Sequence, residues 1–242
     1  MLIQNSNRKS GIELLRILCM LGIIAMHEFG NFMKDASGYE IVYGVALCSL
    51  FNCGVSIFAI ISGYFKVNGS VKKIVGFELQ ILFYSIISFI IKSTIYGSFS
   101  VGILLEAITP VFSRKYWYMT EYMIIMIFSR QINDFCQRLT KEQFLKMLVV
   151  FFVISCLIPT VVQRDLSGYD GKSFLNILFM YLIGRYLNRF FNIESVQSRK
   201  LLFVFVSVLT LAFVLNMGGR SFTMLLEIQA HITRSEKMIL YL

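Results

Sequence analysis

The first apolar stretch of the sequence contains two ionisable side chains whose spacing would bring them to one side of a helix. Arg16 and His27 are eleven residues apart, which at about 100° per residue is three turns plus about 20°. Both would therefore point to one face, about 16 Å apart along the helix axis. Because histidine takes up and releases protons near neutral pH, His27 is a candidate for general acid–base catalysis.

Both residues also have a structural interpretation. Arg16 could reach the headgroups of a membrane, or it could pair with Glu13, which lies three residues earlier on nearly the same face. His27 and Glu28 could mark the interface at the end of a span. A charge near the bilayer centre costs at least about 2.5–3.5 kcal/mol, so such residues normally face a protein interior or a wet cavity. The residue pattern alone leaves these alternatives open.

The composition indicates a membrane protein. Of the 242 residues, 57% are hydrophobic and 15% are charged, and the mean hydropathy is +0.70. A soluble domain is usually about a quarter charged. The apolar residues occur in blocks of about 20, the length that crosses a hydrocarbon core of roughly 30 Å as a helix. We therefore predict an all-α fold, a polytopic bundle of transmembrane helices in the lipid bilayer.

The apolar blocks predict about seven spans within one membrane domain over residues 1–217. The stretch 99–112 is too short to cross and is expected to be interfacial or re-entrant. Residues 218–242 form an atypical polar tail and a poor span. The predicted spans are 11–30, 41–65, 73–96, 116–134, 146–163, 173–191 and 201–217.

The basic residues predict the orientation. With a cytoplasmic N-terminus, 13 of them lie on the inner side and 6 in outer loops before the tail, as the positive-inside rule requires. The net charge of +9 is explained by these residues, so no nucleic-acid partner is expected. The inner residues are Arg8, Lys9, Lys66, Lys72, Lys73, Arg130, Arg138, Lys141, Lys146, Arg185, Arg189, Arg199 and Lys200; the outer residues are Lys34, Arg114, Lys115, Arg164, Lys172 and Arg220.

No metal site is expected from the cysteines and histidines. The sequence has five scattered cysteines, no CxxC pair and only two histidines. A structural zinc site needs four closely grouped ligands of these types. The thiols are instead expected to act as small hydrophobic side chains.

Five segments in order resemble the acyltransferase 3 family of integral membrane acyltransferases. Arg16 and His27, with ten residues between them, resemble the family's opening signature. Ser62-Gly63-Tyr64 resembles its second conserved stretch. Lys72-Lys73 stands where the family carries basic residues at the start of a span. The resemblance covers residues 8–217, and its segments are GIELLRILCMLGIIAMHEFG, FNCGVSIFAIISGYF, the Lys72-Lys73 pair, YWYMTEYMIIMIFSRQIN and FMYLIGRYL.

This resemblance implies an O-acetyltransferase in the bacterial cytoplasmic membrane. The reaction would move an acyl group, usually acetyl, from acetyl-CoA to a hydroxyl of a surface carbohydrate such as a polysaccharide or O-antigen. His27 would be the base, and Arg16 would bind the anionic part of the donor or organise the cytoplasmic end of its tunnel. Substrate-binding candidates, each with a structural alternative, are Ser62, Gly63, Tyr64, Lys72, Lys73 and Trp117.

The sequence departs from the family pattern at three places. Arg130 stands where proline is common, Glu121 lies within a span where small or apolar residues are usual, and family members usually continue for several further spans. The chain is therefore expected to be a C-terminally truncated member. An inactive member and a transporter or flippase for lipid-linked sugars are the alternatives, although the sequence shows no internal repeat of the kind that transporters have.

Overall fold

The computed structural model describes residues 10–32, 39–97, 99–162 and 172–191, and in the C-terminal part residues 199–200, 203, 205–208, 210–211 and 213–214. Every regular element within these residues is helical, as the apolar blocks predict. The chain divides into two compact units. Unit 1 comprises Met1–Val55 and Glu194–Leu242, and unit 2 comprises Ser56–Ile193.

Unit 1 is built on helices α1 (Ser10–Phe32) and α2 (Tyr39–Phe51), which pack against each other. The contact is close because α1 has a glycine where the two helices meet. A Cβ atom on Gly22 would lie 2.5 Å from the ring of Phe51, so a larger residue would push α2 away. Gly54, which follows α2, is similarly close to the side chain of Ile23.

Unit 2 contains the remaining described helices, and local sequence explains several of their ends. Thr140 and Gln143 form a reciprocal capping box that begins α7, which satisfies free N–H groups of its first turn. A π-helical segment precedes α8, where Pro159 lacks the N–H of a regular helix. The elements are α3 (Gly54–Tyr64, starting at the end of unit 1), α4 (Val71–Tyr96), α5 (Val101–Ile108), α6 (Trp117–Arg138), α7 (Lys141–Phe152), the π-helical segment (Val153–Leu157), α8 (Ile158–Val162) and α9 (Phe174–Phe190).

The apolar core of unit 2 lies where α6, α7 and α9 meet. Phe144 and Leu148 of α7 pack against Cys136 of α6 and against Phe179 and Leu182 of α9. These side chains are buried, whereas many large apolar residues elsewhere in the unit are exposed. Such an apolar exterior is expected of helices that face lipid.

Helices α3 and α9 cross at backbone contact distance because each has a glycine at the crossing. A Cβ atom on Gly63 would lie 2.0 Å from the carbonyl oxygen of Tyr181, and one on Gly184 would lie 2.0 Å from that of Ile60. Both distances are far below any van der Waals contact. Only glycine fits at either place, as in other close crossings of membrane helices.

Among the described residues, three helical stretches are long and apolar enough to cross a membrane, namely Val42–Tyr64, Val71–Tyr96 and Lys141–Val162. Helices also occupy the predicted spans 11–30, 116–134 and 173–191. The predicted span 201–217 lies largely outside the described residues, and the tail 218–242 lies entirely outside them. The number of seven spans and the cytoplasmic N-terminus therefore stay predictions, as does the interfacial position of 99–112, where the short helix α5 lies.

Candidate functional site

Arg16 and His27 both lie on α1 of unit 1, beside the stripe that packs on α2. The guanidinium of Arg16 donates a hydrogen bond of 2.9 Å to Glu13 Oε1, and the two side chains are 37% and 42% exposed. This is the pairing that the spacing of Glu13 and Arg16 makes available. His27 is exposed, while Cys19 and Gly22 on the neighbouring stripe are buried. The face of α1 that carries Arg16 and His27 is therefore not buried against α2.

The Ser62-Gly63-Tyr64 motif ends α3 and turns the chain towards α4. Val67 N–H donates to the carbonyl of Ser62, and Lys66 N–H donates to that of Gly63, with Lys66 in the left-handed conformation at φ 53°. These are the bonds of a Schellman C-cap. The Ser62 hydroxyl donates to the Phe58 carbonyl at 2.8 Å, so it lies against its own helix.

Lys72, Lys73 and Trp117 occupy the first turns of two helices. Both lysines are exposed at the start of α4, where the partial positive charge of the helix dipole adds to theirs. Trp117 is the first residue of α6 and makes an edge-to-face contact with Tyr118, ring centroids 6.0 Å apart. The described geometry brings none of these three side chains into a hydrogen bond with another candidate.

A polar network that the sequence did not indicate joins α6 and α9 to the segment after α3. The Tyr181 hydroxyl donates to Asn133 Oδ1 at 2.9 Å, and Asn133 Nδ2 donates to the Val67 carbonyl at 3.1 Å. Nearby, Gly69 N–H donates to the Ser129 hydroxyl at 2.9 Å. These bonds fix the α3–α4 connection on the surface of α6.

Arg185 lies one turn along α9 from Tyr181 and is buried, with an exposed fraction of 1%. Its Nε and Nη1 atoms are buried and have no hydrogen-bond partner among the described residues. The guanidinium lies beside the Cys136 thiol. Although the sequence places Arg185 among the charges that flank the spans, the side chain is in the interior of unit 2.

A second buried charge lies near the other end of α6. Glu121 is 5% exposed and accepts a hydrogen bond of 2.5 Å from Arg114 in the preceding loop. Lys115, the next residue, donates to the hydroxyl of buried Ser85 in α4 at 3.1 Å. Two residues that the sequence assigns to an outer loop therefore direct their charges into unit 2.

A family profile described as an acyltransferase domain, that of acyltransferase 3, matches residues 9–235. The chain belongs to the acyltransferase 3 family. Neither the curated proteins nor the solved structures gave a match. The family and the long apolar helices together make this chain a membrane acyltransferase.

In this acyltransferase the candidate residues are divided between the two units. Arg16 and His27 belong to unit 1 and the other candidates to unit 2. Arg185, Asn133 and Glu121 were not among the candidates. Glu121 had a signal, since a carboxylate within a span needs a partner, whereas Arg185 resembled an ordinary charge at the end of a span.

Proposed function

We propose that this acyltransferase moves an acetyl group from acetyl-CoA to a hydroxyl of a bacterial surface carbohydrate, at the cytoplasmic membrane. The observation that carries the proposal is the spacing of Arg16 and His27 on one helix of a chain that belongs to an acyltransferase family. The bias of basic residues supports an arrangement in which Arg16 lies towards the cytoplasm and His27 towards the outside. That is the order in which a cytoplasmic donor and an external acceptor would meet α1.

The reaction needs a group that accepts the proton of the acceptor. The hydroxyl oxygen attacks the thioester carbonyl carbon while the imidazole of His27 takes the hydroxyl proton. The carbon–sulfur bond then breaks, the acetyl ester forms, and CoA leaves as a thiolate that recovers a proton. An exposed imidazole on the open face of α1 supports this role, because an acceptor sugar could approach it.

The remaining candidates have supporting roles in the proposal. Arg16 binds the anionic part of the donor, and Lys72 and Lys73 attract its phosphates from the exposed start of α4. Trp117 offers an aromatic face on which a sugar ring could stack. The hydrogen bond from the Ser62 hydroxyl to Phe58 and the tight fit of Gly63 favour packing roles for those two residues, and Tyr64 beside them remains a substrate-contact candidate.

Replacement of His27 by alanine tests the base. Glycan O-acetylation, measured by NMR on a deletion strain that expresses each variant, should fall about 100-fold or more, because general base catalysis typically contributes that much. Membrane insertion should be unchanged, since an exposed side chain is removed. The matched control is Glu28→Ala, the exposed neighbour on α1, which should keep its activity. Retained acetylation in the His27→Ala strain would refute the assignment.

Replacement of Arg16 by alanine tests the donor site. Binding of radiolabelled acetyl-CoA to membranes should weaken about tenfold, because a charge-assisted contact is lost. Glu13→Ala is the control, since it removes the ion pair on α1 but keeps the guanidinium. Equal binding by the Arg16→Ala protein and the unchanged protein would mean that Arg16 does not bind the donor.

A further inference from the structure

We propose that Arg185 is an anion-binding residue that receives a phosphate group in the interior of unit 2. The inference deepens the proposed function, and it rests on that function in one respect, because acyl-CoA is the phosphate-bearing molecule that the reaction would supply. A phospholipid headgroup carries the same chemistry. The experiment below distinguishes the two sources.

The charge of Arg185 is permanent. A guanidinium stays protonated in proteins, so it cannot become neutral when it is buried. Arg185 is 1% exposed, and two of its three guanidinium nitrogens have no acceptor in the part of the chain that the structure describes. An isolated charge in an apolar interior is strongly unfavourable unless an anion compensates it. The protein thus holds a cation with free donors at a fixed place.

The surroundings favour a multiply charged anion over a single carboxylate. Arg189 follows Arg185 by one turn on α9 and donates a hydrogen bond to the Cys136 carbonyl, so both guanidinium groups lie beside Cys136 of α6. Asp134, two residues earlier on α6, is exposed. The summed field of the two cations attracts phosphate more strongly than a monovalent anion.

The polar network leads from exposed residues to the helix of Arg185. Tyr181 and Asn133 connect this helix to the Val67 carbonyl, which belongs to the non-helical segment after α3. The segment contains the exposed residues Lys66 and Asn68. A phosphate compound that approaches Arg185 along this network would pass the positive charge of Lys66.

A purely structural role makes a different prediction. If Arg185 served only packing, Arg185→Met would remove packing contacts but would not change the response of the protein to any phosphate compound. If Arg185 binds phosphate, methionine of similar length should leave the ligand-free protein at least as stable, because an uncompensated buried charge is removed. The stabilisation that the ligand provides should then be lost.

The experiment measures thermal unfolding of the purified full chain in detergent against increasing concentrations of three probes. The probes are CoA, inorganic pyrophosphate and phosphatidylglycerol, the last compared with phosphatidylcholine. A ligand that binds only the folded protein raises its unfolding temperature in a concentration-dependent way. The variants are Arg185→Met, Arg185→Lys and, as the exposed matched control, Arg138→Met.

At least one probe should stabilise the unchanged protein and the Arg138→Met control alike. With Arg185→Met the half-saturating concentration of that probe should rise about tenfold or more, as expected for the loss of charge-assisted hydrogen bonds. Arg185→Lys should give a smaller rise, because it keeps the charge but loses the planar fork, and it serves as the test if the methionine variant does not fold. If CoA or pyrophosphate raises the unfolding temperature, the ligand of Arg185 is a soluble phosphate compound. If phosphatidylglycerol alone raises it, the ligand is a lipid.

Two results would overturn the inference. One is an equal response of the Arg185 variants and the unchanged protein to every probe, and the other is no response of the unchanged protein to any of them. Neither result depends on acetylation of a glycan. If the protein acetylates its glycan but Arg185 fails this test, the proposed function stands and the anion site is refuted. If Arg185 passes the test but the protein does not acetylate a glycan, the anion site stands, with a lipid or another phosphate compound as its ligand.

Discussion

Glu121 of α6 and Arg185 of α9 are the two charged side chains that are buried among the described residues of unit 2. They differ in whether an ion-pair partner lies beside them. Glu121 receives an ion pair from Arg114, seven residues earlier in the chain. Within the described ranges Arg185 has no such pair, and two of its nitrogens have no acceptor there. Glu121 is 5% exposed and Arg185 is 1% exposed, so the two side chains are similarly buried and burial does not explain the difference.

The difference suggests that the two charges have different purposes. The ion pair with Glu121 fixes the loop of Arg114 on α6. This loop is the connection between α5 and α6. A buried charge without a partner lowers the stability of the fold, so its presence is explained by something outside the chain. A buried charge that is paired within the protein is thus structural, whereas a buried charge that is not paired is available for binding a ligand.

The largest effect is expected when the Glu121 pair is broken. Arg114→Met should lower the free energy of unfolding by about 2 kcal/mol, less than the 3–5 kcal/mol of a fully buried pair, because solvent reaches the arginine side chain. Arg185→Met should not measurably lower the free energy of unfolding of the ligand-free protein. Denaturant unfolding in detergent, followed by tryptophan fluorescence of Trp117, measures both.

A double variant supplies the control for this prediction. Arg114→Met combined with Glu121→Met removes both charges and should recover most of the stability that the single change loses, because no buried carboxylate is left alone. The contrast between the two charges would be wrong if Arg185→Met destabilised the ligand-free protein as much as Arg114→Met does.

The sequence predicted those features that depend on neighbouring residues. The apolar blocks gave the positions of α1, α4 and α9 because helical spans require about 20 apolar residues. The pairing of Arg16 with Glu13 was among the alternatives because residues three apart meet on a helix. The shared face of Arg16 and His27 follows from the same periodicity.

Features that depend on contacts between distant segments were not predicted. Arg185 lies five residues before the end of α9, and a cation there resembles one that reaches the headgroups. Its burial follows from the way in which α9 packs against α6, and from the crossing that Gly63 and Gly184 permit between α3 and α9. The pairing of Glu121 requires Arg114 to adopt φ 54° in a loop, which no periodicity reveals.

The smallest expected effect concerns the thiol beside Arg185. Cys136 lies beyond the predicted span 116–134, and burial raises the pKa of its thiol to about 11, while the charges of Arg185 and Arg189 act in the opposite direction. The thiolate is therefore a minor species until the pH rises from 9 towards 11. Because it is the thiolate that reacts with alkylating reagents, the rate of Cys136 alkylation at a fixed pH below 11 reports the charge of Arg185.

Arg185→Met should raise the pKa of Cys136 further, since a cation that stabilises the thiolate is removed. In a protein whose other four cysteines are serine, the rate of Cys136 alkylation at pH 9.5 should fall about threefold, equivalent to about half a pKa unit, because well below the pKa the thiolate fraction falls tenfold for each unit by which the pKa rises. Arg138→Met should leave the rate unaltered, because Arg138 is exposed and is not among the charges that act on this thiol. An unaltered rate in Arg185→Met would contradict the assignment of Arg185 as a charge that stabilises this thiolate.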